Sequence, residues 1–327
     1  MSSTSEPTAA VTSTPFRPRT NPRPQYPPFF IQVLPRWAWV IGRDILLGYL
    51  LCVGLFPWYA AVTSSVSQRT AYVLTLCVAH SGSFAFFNGG LALLEKLEFG
   101  PLLRCKIPRK PAEVPGPALL RQLAIEQAIN HCVTSPLILS YLFYVSVYLG
   151  MPPTTDPLPS GLALAALFTA AHTFNDFAFY WSHRALHSKL LYARFHKQHH
   201  NFRGTVGAAA EFAGPTEMVL SNQIPTLGLL LAIGSHPLVQ AAWIVLRLTQ
   251  TYEAHSGYEF DDSWLGWLGI SACESSHHDH HHTSNMGNFG AEHTDWLFGT
   301  MDHWLAAGGR RGYIEQRRAA AAARKLA

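Results

Sequence analysis

The stretch Trp181–His200, WSHRALHSKLLYARFHKQHH, packs five imidazoles into the eighteen residues from His183 to His200. His183 and His187 are four apart, so on a helix they share a face about one turn apart. His196 precedes His199 by three residues and His200 by four, so at least two of these rings point the same way if the segment is helical. Further on, HHDHHH (277–282) repeats the second spacing with His278, His281 and His282. Ten of the 17 histidines lie in these two stretches. A histidine tract alone is often a loose surface metal sink, but matching spacings in separate segments are harder to attribute to that. Imidazole is largely neutral at pH 7 and binds a metal through one nitrogen while an acceptor orients the other. Eight such ligands exceed what one four-coordinate ion takes. The pattern predicts a two-metal centre gathered from three segments, with His277 and His280 as bystanders or supporting groups.

Working outward, the surroundings are apolar. Charged residues make up 13% of the 327, about half the usual share, and 48% are hydrophobic. That deficit indicates a membrane protein. Four spans are expected: Trp37 to Val62, Thr70 to Leu94, Glu126 to Gly150 and Gly161 to Trp181. Arg43 and Asp44, inside the first, must sit near headgroups or pair with each other. A further apolar stretch, 216–248, is broken at Gly234 to Pro237, and each half is short of the roughly 20 residues a straight span needs. It reads as a re-entrant hairpin. Residues 1–36, with eight prolines, four arginines and one acid, read as a disordered arm without the apolar core of a cleaved signal. By the positive-inside rule this arm, the 95–121 link and the Arg-rich tail are cytosolic, as is the histidine region that follows the fourth span. The five cysteines show no paired spacing, and a net charge of +4 without a basic patch gives no support to nucleic-acid binding.

Ligand type alone leaves Fe, Zn and Cu open. Attack on an unactivated C–H bond of a lipid at the membrane surface needs a redox metal and oxygen, which favours iron. A transporter would instead line a path through the spans, yet these hold only His80, His131 and His172, each apparently alone.

The boxes HRALH (183–187), HKQHH (196–200) and HDHHH (278–282), with EAHSGYEF (253–260) and DWLFGT (295–300), resemble the fatty acid hydroxylase or sterol desaturase superfamily. Within it they are most similar to the 4-methylsterol monooxygenases, over roughly Asn175 to Asp302. The resemblance implies a di-iron, O2-dependent monooxygenase of the endoplasmic reticulum that takes electrons from NAD(P)H through cytochrome b5 and its reductase. It implies as ligands His183, His187, His196, His199, His200, His278, His281 and His282, with His255 as a ninth. Glu259, four residues on, is a candidate for the same metal, while Asp176, Glu211, Glu253 and His277 are candidates to orient ligands. Gly214 and His280 depart from the family pattern and leave the substrate open. A sterol 4-methyl group is expected; fatty acyl, sphingoid or secondary-metabolite substrates are the alternatives.

The expected fold is therefore all-α: an integral membrane bundle (37–181), a catalytic region (182–305) forming a cytosolic helical cap around a di-metal centre, and a basic tail (306–327). Arg324 to Ala327 is similar to a dilysine-type retrieval signal, though it reads equally as a solvated end.

Overall fold

A computed structural model describes residues 24–261, 263, 266 and 275–326. The first long helix, α1 (Leu34–Thr63), is followed by α2 (Gln68–Lys96), whose start is capped by the Ser67 hydroxyl accepting from Thr70 N at 3.1 Å. Next come α3 (Pro117–Ile129) and α4 (Ser135–Tyr148), joined through a π-turn, Asn130–Thr134. Pro136 supplies no N–H to the turn above it, which favours a widened turn there. α5 (Gly161–Leu186) is capped by Ser160. Four helical segments, 29–63, 68–96, 111–148 and 161–186, are long and apolar enough to cross a membrane. Their outer faces expose Leu46, Leu50, Trp58, Val78, Leu137 and Tyr141, a dressing suited to lipid instead of water.

The stretch expected as a hairpin folds into α6 (Ile224–Ala232) and α7 (Pro237–Ala254), reversing at Gly234. There φ is +60° and an added Cβ would lie 2.5 Å from the Leu149 carbonyl, so only glycine fits without strain. Trp243 Nε1 donates to Thr226 O at 2.7 Å, tying the two arms together. α7 is the most deeply buried long helix of the group, packing Val239 and Trp243 into a core with Cys52, Leu164, Phe168 and Leu230. Where α1 crosses α5, Gly48 takes the Phe168 ring against its backbone, the close approach that small residues allow between helices in lipid.

The remaining helices close one end of the bundle. α8 (Ser275–Ser284) carries the third histidine box, followed by α9 (Glu292–Leu297) and α10 (Gly309–Leu326). Among the described residues there is no strand, only an isolated bridge between Lys106 and Tyr258. The N-terminal arm, the 95–121 link and the C-terminal segment all meet the histidine region at this end. Tyr26 O–H donates to Asp302, Arg317 donates to Glu113 at 2.6 Å, and Ile107 packs with Met301, Trp304 and Tyr313.

Two boundaries differ from expectation. Residues 1–23 of the expected disordered arm lie outside the described residues. Beyond them Pro24–Pro28 is extended but docked, with Trp296 Nε1 donating to Pro27 O at 2.8 Å, and the chain is helical from Phe29. The basic tail is not loose either: α10 buries Tyr313 and Arg317 against α8, because the Arg317 guanidinium finds Asp279 and Glu113. Ala327 of the retrieval-like end is outside the described residues.

Gly48→Val is expected to force the first and fourth spans apart at Phe168, lowering stability by about 1–3 kcal/mol. The thermal midpoint of the detergent-solubilised protein reads this, and an unchanged midpoint would mean that the contact is loose.

Candidate metal centre

His183 ends one turn before the close of α5 and His187 caps it, so the first box keeps its helical register, with rings 5.0 Å apart. The second box is not regular helix. After α5 the chain passes through a π-turn, Tyr192–His196, and a 3₁₀ turn, His199–Asn201. That irregular path sends His196 and His200 one way and His199 the other. In α8, His278 and His282 share one face while His281 turns to the opposite group.

The outcome is two adjacent clusters of imidazoles, all buried but the half-buried His187: His183, His187, His196, His200 and His281 in one, and His199, His255, His278 and His282 in the other. In the first, His196 Nε2 lies 3.0 Å from the Nε2 atoms of His183, His187 and His200. In the second, His278 Nε2 is 2.9 Å from His255 and 3.2 Å from His282, and His255 is 3.3 Å from His199. The clusters touch, with the His200 and His282 rings stacked 4.6 Å apart.

These short N–N distances need a physical reason. Four rings have Nδ1 within bonding distance of a backbone carbonyl: His183 to Phe289, His281 to Gly287, His282 to Phe202 and His255 to Thr251, at 2.6, 2.6, 3.0 and 2.8 Å. A carbonyl only accepts, so Nδ1 carries the proton and Nε2 presents a lone pair. One N–H can bridge one such pair, but His196 Nε2, with three Nε2 neighbours at 3.0 Å, cannot hydrogen-bond to all of them, whereas a shared cation satisfies the whole group. Protonation does not, because burial and then the neighbouring imidazoles hold these rings below their ordinary 6.5, His255 at about 4 and His196 at about 2. The donor set therefore fits two transition ions.

Part of this support escaped the sequence reading. The loop after α8 holds positive φ at Asn285, Gly287 and Asn288, which brings the Gly287 and Phe289 carbonyls back onto the rings. Asp295, from the DWLFGT motif, fixes that loop by accepting from Phe289 N and Gly290 N at 2.8 and 3.0 Å. Glu217 sits 2.8 Å from His196 Nδ1, a carboxylate behind an imidazole as in oriented metal ligands. The asparagines and glycine of the loop are a turn signal; nothing local marks Glu217.

Several expected support residues have other partners. Glu259 does not join His255. Its carboxylate accepts from Ser276 N and Oγ at 3.1 and 2.6 Å, anchoring the start of α8, whose unpaired N–H groups attract an acid. Asp176 meets none of the nine rings, since His172 at 3.1 Å and His293 at 3.3 Å take it first. Glu211 is likewise elsewhere, bonded by Tyr252, Asn130 and His80. Glu253 is buried near His255 in sequence but joins neither cluster. His277 lies 3.8 Å from Asp295, and His280 packs on Trp304 and Tyr313; neither belongs to the two clusters. Asp279, between them, accepts from Thr205 and Tyr313 and fastens α8 in place.

A cavity of about 380 Å³ opens from the clusters into the bundle. His183, His196, His199, His255 and His278 form one wall, and Leu76, Leu139, Leu227, Leu231, Ile244 and Leu248 form much of the rest.

Residues 168–300 match the family model described as fatty acid hydroxylase. The chain is 32% identical over 250 residues to the very-long-chain aldehyde decarbonylase GL1-11 of Oryza sativa subsp. indica, covering 74% of this chain and 90% of that protein. It is 34% identical over 250 residues to GL1-8 of the same name and source, with 74% and 89% covered. To methylsterol monooxygenase 2-2 of Arabidopsis thaliana it is 34% identical over 223 residues, with 66% and 80% covered. No solved structure matches the chain.

Because the folded rings refuse protons that the unfolded chain accepts below pH 6.5, stability of the metal-free protein is full above that pH and declines as pH falls towards 4. Metal-loaded protein is expected to melt higher than chelator-stripped protein at pH 7.5. Thermal midpoints at pH 7.5 and 5, with and without metal, test both; a flat, metal-independent profile contradicts the clustering.

Proposed function

From the premise that this chain belongs to the fatty acid hydroxylase family, we propose that it is a membrane-bound di-iron, O2-dependent monooxygenase of the endoplasmic reticulum, hydroxylating a methyl group at carbon 4 of a sterol. The observation that carries this is the convergence of nine imidazole nitrogens in two touching groups, with five of the rings on the wall of a largely apolar cavity. His183, His187, His196, His200 and His281 would hold one ion, and His199, His255, His278 and His282 the other. When bound, the iron pair supplies the redox chemistry that an unactivated C–H bond demands: one oxygen atom enters the substrate and the other leaves as water, with two electrons and two protons consumed.

The chain's own residues do the rest. The leucine-rich walls exclude water and hold a hydrocarbon against the imidazole face, so that one methyl group is presented repeatedly in the same orientation. A volume of about 380 Å³ falls within the roughly 300–1,000 Å³ of small-molecule sites. Phe289, Gly287, Phe202 and Thr251 carbonyls fix which nitrogen of each ring faces the metals. Electrons would come from NAD(P)H through cytochrome b5 and its reductase, approaching from the cytosolic side with the basic link and tail.

A second reading, conversion of a long-chain aldehyde, is favoured by the longer alignment to the two aldehyde decarbonylases, 74% of this chain against 66% for the Arabidopsis methylsterol monooxygenase. Both readings use the same metal boxes.

Membranes carrying the protein, supplied with NADH, cytochrome b5, its reductase and ¹⁸O2, are expected to place label in the 4-methyl group of a 4-methylsterol. His199→Ala and His282→Ala are each expected to lower turnover by at least about 10²-fold, as losses of positioned catalytic groups do. Labelled fatty acid, ceramide and long-chain aldehyde are offered in parallel. Product only from aldehyde moves the assignment to the second reading, and product undiminished in both variants refutes the metal centre.

A further inference from the structure

Outside the nine-imidazole centre, three more side chains of metal-ligating type meet, two of them, His80 and Glu211, on the cavity wall. His80 comes from the middle of α2, His131 from the π-turn between α3 and α4, and Glu211 from the 3₁₀ turn Gly207–Glu211. Their donor atoms all lie within 4.8 Å of one another. His80 Nε2 is 3.0 Å and His131 Nε2 3.8 Å from Glu211 Oε2. The two rings are 4.5 Å apart, so neither histidine stands alone as the sequence suggested. We propose that His80, His131 and Glu211 form a third cation site, separate from the dinuclear centre, for one divalent transition ion such as zinc.

Three observations carry it. First, a plain hydrogen bond between His80 and Glu211 leaves His131 Nε2 buried with no hydrogen-bond partner, a state that folded proteins seldom keep. A cation shared by all three groups gives that nitrogen its partner. Second, the spacing suits an ion. Tetrahedral donors at about 2.0–2.2 Å from a metal stand roughly 3.4 Å from each other, and the separations of 3.0 and 3.8 Å fall on either side of that. Third, two of the three donors are held from behind, as metal ligands are. Asn130 Nδ2 donates to Glu211 Oε2 at 2.7 Å, Tyr252 O–H donates to Oε1, and Ser81 Oγ lies 3.1 Å from His131 Nδ1. The π-turn that presents Asn130 and His131 is itself the kind of helix irregularity that tends to mark working sites.

Two imidazoles and a carboxylate leave a fourth position open, the ligand count of a reactive or substrate-binding zinc. His80, Asn130 and Glu211 line the main cavity, so that position is reached from the space where a lipid would lie. An oxygen on the lipid, hydroxyl or carbonyl, is the chemical class of ligand that completes it. The site shares no donor with the nine-imidazole clusters and stands whether or not the proposed activity is right.

The test is a metal count on the purified full-length protein, saturated with zinc, freed of excess and analysed by elemental mass spectrometry. Wild type is expected to hold three ions per chain. Glu211→Gln and His131→Gln are each expected to hold two, while His199→Ala loses zinc from the dinuclear centre and keeps the ion that depends on His131. Because the donors sit on different elements, His131→Gln decides if Glu211→Gln fails to fold. A wild-type count that falls in neither Glu211→Gln nor His131→Gln overturns the site, leaving only a hydrogen-bonded His80–Glu211 pair. Failure of the proposed function instead shows as absent turnover with the His131-dependent ion still bound.

Discussion

Nine imidazoles turned onto one another inside a protein cannot all find hydrogen-bond partners without a positive charge among them, and the whole histidine-bearing end of this molecule holds them there. Hydrogen bonding to backbone carbonyls at Nδ1 sets the tautomer of four rings, which makes inward-facing Nε2 lone pairs unavoidable. Burial then removes water and proton uptake as ways out. A cation at each cluster would convert this crowding into ligation and would couple metal binding to folding of this region.

The scaffold around the clusters follows from that demand. α8 brings three of the clustered imidazoles and is fastened at both ends and along its side: Glu259 holds its start, the positive-φ loop returns over its end, and Asp279 joins it to Thr205, Tyr313 and Arg317. The buried Asp279–Arg317–Glu113 set would be costly if broken, since an unpaired charge left inside is worse than no pair at all. This explains why the basic stretch after Gly309 docks as a helix through Tyr313 and Arg317, while Arg324 near its end stays exposed. It also ties the 95–121 link to the site, through Glu113 to α10 and through the Ile107 and Glu259 backbone bonds to the segment after α7.

What the sequence disclosed was whatever depends on period and residue type. Four spans, the reversal at Gly234 and the gathering of three histidine boxes with His255 all follow from apolar run length, glycine and imidazole spacing. How the boxes divide between clusters was not legible, because the second box leaves helical register through a π-turn and a 3₁₀ turn. Nor were the carboxylates. Asp176, Glu211 and Glu259 lie near the clustered histidines in sequence, yet each is taken up elsewhere: Asp176 by His172 on its own helix and by distant His293, Glu211 by distant His80, and Glu259 by Ser276 at the start of α8. Long-range pairing leaves no local trace, and the same reason hid the meeting of His80 with His131.

The polar groups within the spans make sense as cross-links. Between helices in lipid the hydrophobic drive is weak, so close packing and buried polar contacts must supply the association. Asp44, fully buried in α1, is bonded by its neighbour Arg43, by His172 of α5 at 2.9 Å and by Gln250 of α7 at 2.6 Å. His172 continues to Asp176, and Asp176 to His293 of α9. One chain of acid and imidazole thus staples the first span, the fourth span, the hairpin and the histidine-bearing end together. Each of these groups has a partner within hydrogen-bonding or ion-pairing distance, and the contacts of Asp44 with His172 and Gln250 and of Asp176 with His293 run between helices. The stapling also sets where the first box emerges, because His172, Asp176 and His183 share α5, and the register that pairs the first two places the third at the metal clusters.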